Sequence, residues 1–440
     1  MNNKDNSYPI PTGRVKRFLG LSKTTLNIAG NVALSASKNY ITQNNVDLKE
    51  LLLTKENFSK FVAQLSIMRG AALKVGQLLS LETGEFLPKE INEILSACRN
   101  QAYSMPKTQV IKVLKNQWGE NFEMQFSIFQ FVPVAAASIG QVHKVKLRGT
   151  NEILAVKIQY PGVKDSIDDD IDNLGLILKS TNLLPASIDI ENLLVIASRQ
   201  LHREACYKTE LKYLDKFYNH FKHDEILEVP KPNFKYSTDN IVCMEFKNGV
   251  TIEKVASRPQ KEKEFIFYNL VKLLFSEIFE LGCMQTDPNY ANFLYNVDKN
   301  KIILLDFGSC VDINENYKKE FSNLLRAIIN KNRDQSKNIL YKLNIIDQKL
   351  PHNIKSKILD HFYEISEELN SEFGFDFKNT NVIDRMNELS EEIIKLKKPI
   401  SLPDTEILLI QRKISGLFFL ARTLEVKLKL SEFFVNYSKN

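Results

Sequence analysis

To hold a nucleoside triphosphate for phosphoryl transfer, a protein needs a cation on the α/β-phosphates and a carboxylate that fixes that cation. It also needs hard oxygen ligands for Mg²⁺ and a loop of small residues over the phosphates. The first three occur here in chain order. Lys157 ends the run Leu154-Ala155-Val156-Lys157, and Glu210 follows on a downstream helical stretch. Asp287 and Asn292 stand five positions apart, and Asp306-Phe307-Gly308 comes after them. Asp306 and Asn292 both offer hard oxygen donors, which suit Mg²⁺. Two common phosphate cradles, GxGxxG and GxxxxGK[ST], are absent from the sequence, which argues against a Rossmann or P-loop framework.

These residues act together only if the right elements carry them. The alternation in Gln141–Leu147 and Ile153–Tyr160 predicts two strands around the turn Arg148-Gly149-Thr150-Asn151. Leu154, Val156 and Ile158 then share one face, and Ala155 and Lys157 the other. Helices are expected at 168–181, at 191–221 and at 262–281, the last ended by Gly282. A further strand is expected at 240–246. An irregular loop, 286–292, leads into a hairpin of 293–295 and 302–305 that Asp306 closes, and the chain reads as helical from Tyr317 on. A lone strand lysine is ordinarily a solvated surface group, and a single Asp-Phe-Gly means little. A strand lysine, a helical glutamate, DxxxxN and a hairpin followed by Asp-Phe-Gly, in that order, are the parts of a protein kinase.

The chain has 440 residues, 43% hydrophobic and 25% charged, which excludes a collagen, an acidic solvating tail or a mostly disordered protein. Lys+Arg 59 against Asp+Glu 53 leaves a net charge of only +6, which demands no nucleic-acid partner. The five cysteines form no CxxC pair and read as reduced thiols in a cytoplasmic setting. The run Met124–His143 lacks Asp, Glu, Lys and Arg but contains Gln125, Gln130, Pro133 and Gln141, so it reads as strand plus loop rather than a membrane span. Apolar positions from Phe58 to Leu79 recur at helical period and read as a core-facing helix. Asp168-Asp169-Asp170 reads as a solvated charge run, and His220 with His223 as solvated side chains rather than metal ligands.

Three further stretches carry a more specific likeness: the Lys74-Val75-Gly76-Gln77 segment, Ala135-Ala136-Ala137-Ser138-Ile139-Gly140-Gln141-Val142-His143, and Val156-Lys157-Ile158-Gln159-Tyr160-Pro161-Gly162-Val163. The sequence resembles the UbiB (AarF) family of atypical protein-kinase-like proteins, associated with ubiquinone biosynthesis, from about Val15 to Leu430. The first stretch contains the family's KxGQ. The second is its Ala-rich replacement for the kinase Gly-rich loop.

The resemblance implies a bilobal α+β protein-kinase-like fold with an α-helical N-terminal extension carrying KxGQ. The expected division is a polar segment 1–45, the helical extension 46–122, an N-lobe 123–247 and a mostly helical C-lobe 248–440. By the same resemblance Lys157 contacts phosphate and Glu210 is its helix partner. Ala135, Ala136, Ala137 and Ser138 cover the nucleotide, Asp287 is the catalytic-loop acid, and Asn292, Asp306 and Glu204 serve the metal. Lys74 and Gln77 occlude the place where a protein substrate would lie, which argues against an ordinary protein kinase. The cofactors implied are ATP and Mg²⁺. The implied partners are anionic membrane lipid and ubiquinone-biosynthesis proteins, with a peripheral position at the inner face of a membrane. Two departures stand out. Cys206 replaces the second acid of the family's ExD, and the loop reads Asp287-Pro288-Asn289-Tyr290-Ala291-Asn292 where the family usually has DPHPGN. They motivate an alternative, a nucleotide-binding pseudokinase scaffold that organises lipid-biosynthetic enzymes without turnover.

Overall fold

The computed structural model describes residues 70–72, 74–76, 104–181, 189–287, 289–396 and 403–439. The expectations for 1–45 and most of the 58–79 helix lie outside them. Along the chain come α1 (Lys107–Trp118), β1 (Phe126–Phe129), β2 (Ala135–Ala136), β3 (Gly140–Leu147) and β4 (Ile153–Gln159). Then follow α2 (Val163–Thr181), α3 (Ile190–Glu204), α4 (Tyr207–Phe221), β5 (Leu227–Glu228) and β6 (Ile241–Glu245). The remainder begins with β7 (Val250–Thr251), α5 (Gln260–Ser276), β8 (Cys283–Gln285), β9 (Phe293–Asn296), β10 (Lys301–Leu304) and β11 (Cys310–Asp312). Helices α6 (Glu315–Ile329), α7 (Arg333–Lys342), α8 (His352–Leu369), α9 (Val382–Lys395), α10 (Thr405–Thr423) and α11 (Ser431–Tyr437) complete it. A two-residue pair, Phe375–Asp376 with Lys427–Leu428, interrupts the expected helical run.

Two compact units result. They do not follow chain order: the described residues up to Lys208 join Asn233–Phe246, and Thr209–Pro232 joins the described residues from Lys247 on. The first unit holds an antiparallel sheet ordered β1-β3-β4-β6, with β2 also on β3. β4 is interior to that order, so both of its edges are paired, and from Leu154 to Gln159 both of its faces are buried. Leu154, Val156 and Ile158 enter the core with Val145 and Ile241, and Lys157 on the opposite face is also buried. Helix α1 seals the core with Val110 and Leu114, and Trp118 packs against Phe126 with the rings tilted while its Nε1 donates to Tyr236 O at 2.9 Å. The stretch read as one helix over 191–221 is two. The break falls at Ala205–Cys206, where the Gln159 amide on β4 donates to Ala205 O at 2.9 Å.

The second unit is mainly helical. Its four-stranded sheet runs β5-β10-β9-β7, with the expected β9–β10 hairpin antiparallel at its centre, and β8 pairs β11 separately. The helix expected to reach residue 281 ends at Ser276, and Glu277–Leu281 is wound as a single π-helical turn. Gly282 closes it at φ 63°, a left-handed cap that favours glycine.

A buried polar chain follows the Ala-rich stretch. His143 Nδ1 lies 2.8 Å from Gln130 O, His143 Nε2 lies 2.8 Å from Gln141 Nε2, and Gln141 Oε1 accepts from Met105 N at 2.6 Å. A carbonyl only accepts, so Nδ1 carries the proton and Nε2 receives the amide hydrogen. The network is satisfied by a neutral imidazole, and burial holds His143 below its ordinary value of 6.5. The unfolded chain therefore takes up this proton first as pH falls. The stabilisation is complete above 6.5 and is lost as pH drops through the lower folded-state value. The parent is expected to lose more melting temperature between pH 7.5 and pH 5.5, on the order of several degrees, than a His143→Gln variant does. Equal losses in the two proteins would contradict the assignment.

Candidate active site

In the first unit, four of the expected residues meet around the α3–α4 joint. Lys74, among the helical residues 70–72 and 74–76, forms a buried ion pair with Glu204 Oε1 at the end of α3. Ser138 Oγ donates to the other oxygen, Glu204 Oε2, at 3.2 Å. Gly70 permits this approach, since a Cβ there would stand 3.1 Å from the Ile139 side chain. The Ala-rich stretch is also held by its backbone. Ala135 pairs with Val142, Ala136 with Gln141, and Ala137 N donates to Gly140 O at 2.8 Å. Lys157 lies 5.4 Å from the centre of the Tyr207 ring. Gln77 lies outside the described residues.

The second unit gathers the other set. Asn292 Nδ2 donates to Asp287 Oδ2 at 3.0 Å, so the two ends of DxxxxN are joined directly. The hairpin brings Asp306 beside them. Phe293 pairs with Leu304, and Leu305 N donates to Asn292 O at 3.0 Å. Asp306 Oδ1 accepts from Gly308 N at 2.8 Å. A Cβ on Gly308 would sit 3.2 Å from both Asp306 Oδ1 and Glu210 Oε2. Glycine is therefore what lets these carboxylates approach one place. Helix α4, which carries Glu210, is fastened to the same stretch. Phe217 lies 5.0 Å from Phe307 between ring centres, and Tyr213 OH donates to Asp312 Oδ2 at 3.1 Å.

The motif search missed α10. Arg412 Nη2 donates to Asp287 Oδ1 at 3.0 Å, and Tyr290 OH donates to Gly416 O at 3.1 Å. Lys413 forms a buried ion pair with Glu277 of the π-helical turn, and Glu277 Oε1 accepts from Gln285 N at 3.1 Å. One helix thus grips the Asp287–Asn292 loop at Asp287 and Tyr290 and the turn before it at Glu277. Burial pushes the Glu277 carboxyl up, against the opposing pull of Lys413. Burial also pushes the Tyr290 hydroxyl up to about 12. The signal was present in the sequence: two adjacent cations interrupt the apolar run from Ile407 to Leu420, and cations placed in a core-facing stretch need buried partners.

The donor set fits Mg²⁺ held with a nucleotide. No group of three or more His, Cys, Asp or Glu among the described residues is arranged to cage an ion, and Mg²⁺ bound to a nucleotide uses one or two carboxylates with phosphate oxygens and water rather than such a cage. Asn292 uses its amide hydrogen on Asp287, which leaves Oδ1 as an oxygen donor. Asp306 and Glu210 bring two carboxylates toward Gly308, an arrangement that favours a cation. The aspartate run at 168–170 is not such a site, because Asp168 accepts from Ser198 and His202 and Asp170 from Ser166. The four cysteines described form no disulfide.

The chain is similar to known proteins over most of its length. Residues 97–340 match the model of the ABC1 atypical kinase-like domain. The chain is 34% identical over 430 residues to the atypical kinase COQ8, mitochondrial, of Saccharomyces cerevisiae, covering 97% of this chain and 85% of that one. It is 31% identical to the atypical kinase COQ8B, mitochondrial, of Danio rerio, covering 99% of this chain and 70% of the relative. Its fold is similar to that of Rv3197 from Mycobacterium tuberculosis, solved as a complex with erythromycin, with a TM-score of 0.58 at 22% identity over 87% of this chain and 95% of that chain. The kinase-like fold and the likeness carried by KxGQ and the Ala-rich stretch are thus shown, and the chain belongs to the ABC1 atypical kinase-like family.

Proposed function

We propose that this protein is a Mg²⁺-dependent, ATP-binding atypical kinase or ATPase that supports ubiquinone biosynthesis. The observation that carries the reading is the set catalytic loop: Asp287 and Asn292 bonded to each other, with Asp306 placed next to them by the hairpin. When bound, Mg²⁺ neutralises charge on the phosphates. Asn292 Oδ1 and Asp306 would hold it, and Lys157 would meet the α/β-phosphates. Ala135, Ala136, Ala137 and Ser138 would lie over the nucleotide. Asp287 uses one oxygen on Asn292 and the other on Arg412. A carboxylate has about four acceptor positions, so it can still orient the hydroxyl or water that attacks the phosphorus. Glu204 is occupied by Lys74 and Ser138. Its part in this reading is to pin the KxGQ helix to the Ala-rich stretch, and with Gln77 that helix excludes a protein acceptor.

No helix among the described residues is long and apolar enough to cross a membrane. A peripheral position at a membrane carrying anionic lipid and ubiquinone-biosynthesis proteins fits the reading, and the named relatives are mitochondrial.

A second reading, the scaffold without turnover, is favoured by Cys206 in place of an acid. Purified protein is expected to gain thermal stability from ATP only with Mg²⁺, and to release phosphate above an Asp306→Asn control. Mg²⁺-dependent binding without release selects the scaffold. Transfer of labelled phosphate to generic peptides selects an ordinary protein kinase, and the absence of binding overturns both leading readings.

A further inference from the structure

We infer that Tyr207 is a positioning residue for the strand lysine. Tyr207 opens α4 and is 1% exposed, among the largest fully buried side chains described. Its ring lies beneath the Lys157 ammonium, 5.4 Å from centroid to Nζ. That separation is within the reach of a cation–π attraction, which strengthens where water is excluded. Lys157 itself is 6% exposed. The hydroxyl reaches the far side. A Cβ on Gly140 would lie 2.6 Å from Tyr207 OH and 2.5 Å from Ile158 O, so the chain leaving the Ala-rich stretch passes directly over the phenol where only glycine fits.

The neighbouring residues give the ring a fixed seat. Three positions earlier Glu204 holds Lys74 and Ser138, and Ala205 O accepts the Gln159 amide from β4, two residues beyond Lys157. The stretch Glu204–Tyr207 therefore fastens β4, the Ala-rich stretch and the KxGQ helix to one joint. The ring's negative face then sets where the ammonium stands when phosphate arrives. A lysine side chain has four rotatable bonds, and a seat that restricts it lowers the entropy lost on meeting a ligand.

The inference rests on the nucleotide-binding reading for its activity test and stands apart from it in a second test. In the full chain, Tyr207→Phe keeps the ring and is expected to keep the Michaelis constant for MgATP within about twofold of the parent. Progressively fluorinated phenylalanines at the same position keep the shape and drain the ring's negative face. They are expected to raise that constant step by step, to roughly tenfold, with turnover little changed. A merely structural role would lower the amount of active protein and leave the constant flat across the series, which overturns the proposal.

The second readout needs no activity: labelling of Lys157 by an amine-reactive reagent, quantified by mass spectrometry. Labelling is expected to be equal in the parent and Tyr207→Phe and to rise several-fold with fluorination. If the parent neither binds nor consumes ATP, the proposed function fails, and the labelling series alone decides for or against Tyr207.

Discussion

Replacing Arg412 by Met is expected to lower phosphate release on the order of a hundredfold while MgATP binding, read from thermal stabilisation, changes by less than about threefold. The guanidinium is 3% exposed and donates to Asp287 Oδ1, and the loop Asp287–Asn292 contains no Lys or Arg of its own. The cation that holds Asp287 against Asn292 is thus supplied from α10, well over a hundred positions along the chain. Without it Asp287 keeps its bond to Asn292 but loses the contact that fixes its plane. Lys at this position would restore charge without the planar fork and is expected to recover only part of the rate. Single-turnover phosphate release is the measurement, and a variant within about twofold of the parent would remove Arg412 from the machinery.

The largest effect on stability is expected next door. Glu277 has no exposure and Lys413 has 3%. Removing one partner of such a pair costs about 3–5 kcal/mol, because the other is left as a buried, uncompensated charge. In Lys413→Met the Glu277 carboxyl loses the cation that draws it down, while burial continues to push it up. Folded protein then keeps this proton above the ordinary carboxylate value of 4.5, where the unfolded chain has released it. The contribution of a carboxyl raised in this way is present below 4.5 and is lost as pH rises. The deficit of Lys413→Met against the parent, taken from denaturant melts, should therefore be larger at pH 8 than at pH 5. Adding Glu277→Gln should recover much of it. A deficit that ignores pH and is not rescued would show that the ion pair is incidental.

Much of this was readable from residue types. The β3–β4 pair, the hairpin before Asp306, the third strand and the Gly282 cap follow from alternation and turn chemistry, and their ends agree with the structure to within a residue or two. The kinase order of motifs led to the family. Three things resisted. β2, β8 and β11 are two or three residues long, too short for a period to declare itself. The break at Ala205–Cys206 is made by a side chain from β4, a tertiary contact that local propensity does not encode. Arg412 and Lys413 are visible as charges in an apolar helix, but their partners lie far away in sequence, and nothing local says which acids they meet. Lys74, Ser138 and Glu204 were singled out as functional, and the structure adds that they bind one another.

The grip of α10 also bears on how the protein comes into being. Every recognisable motif, from KxGQ to Asp-Phe-Gly, has been synthesised by the time Gly308 leaves the ribosome, yet the side chain that steadies Asp287 is at position 412. A nascent chain, or a truncation product ending before residue 405, would carry every signature of its family and lack the guanidinium that holds Asp287.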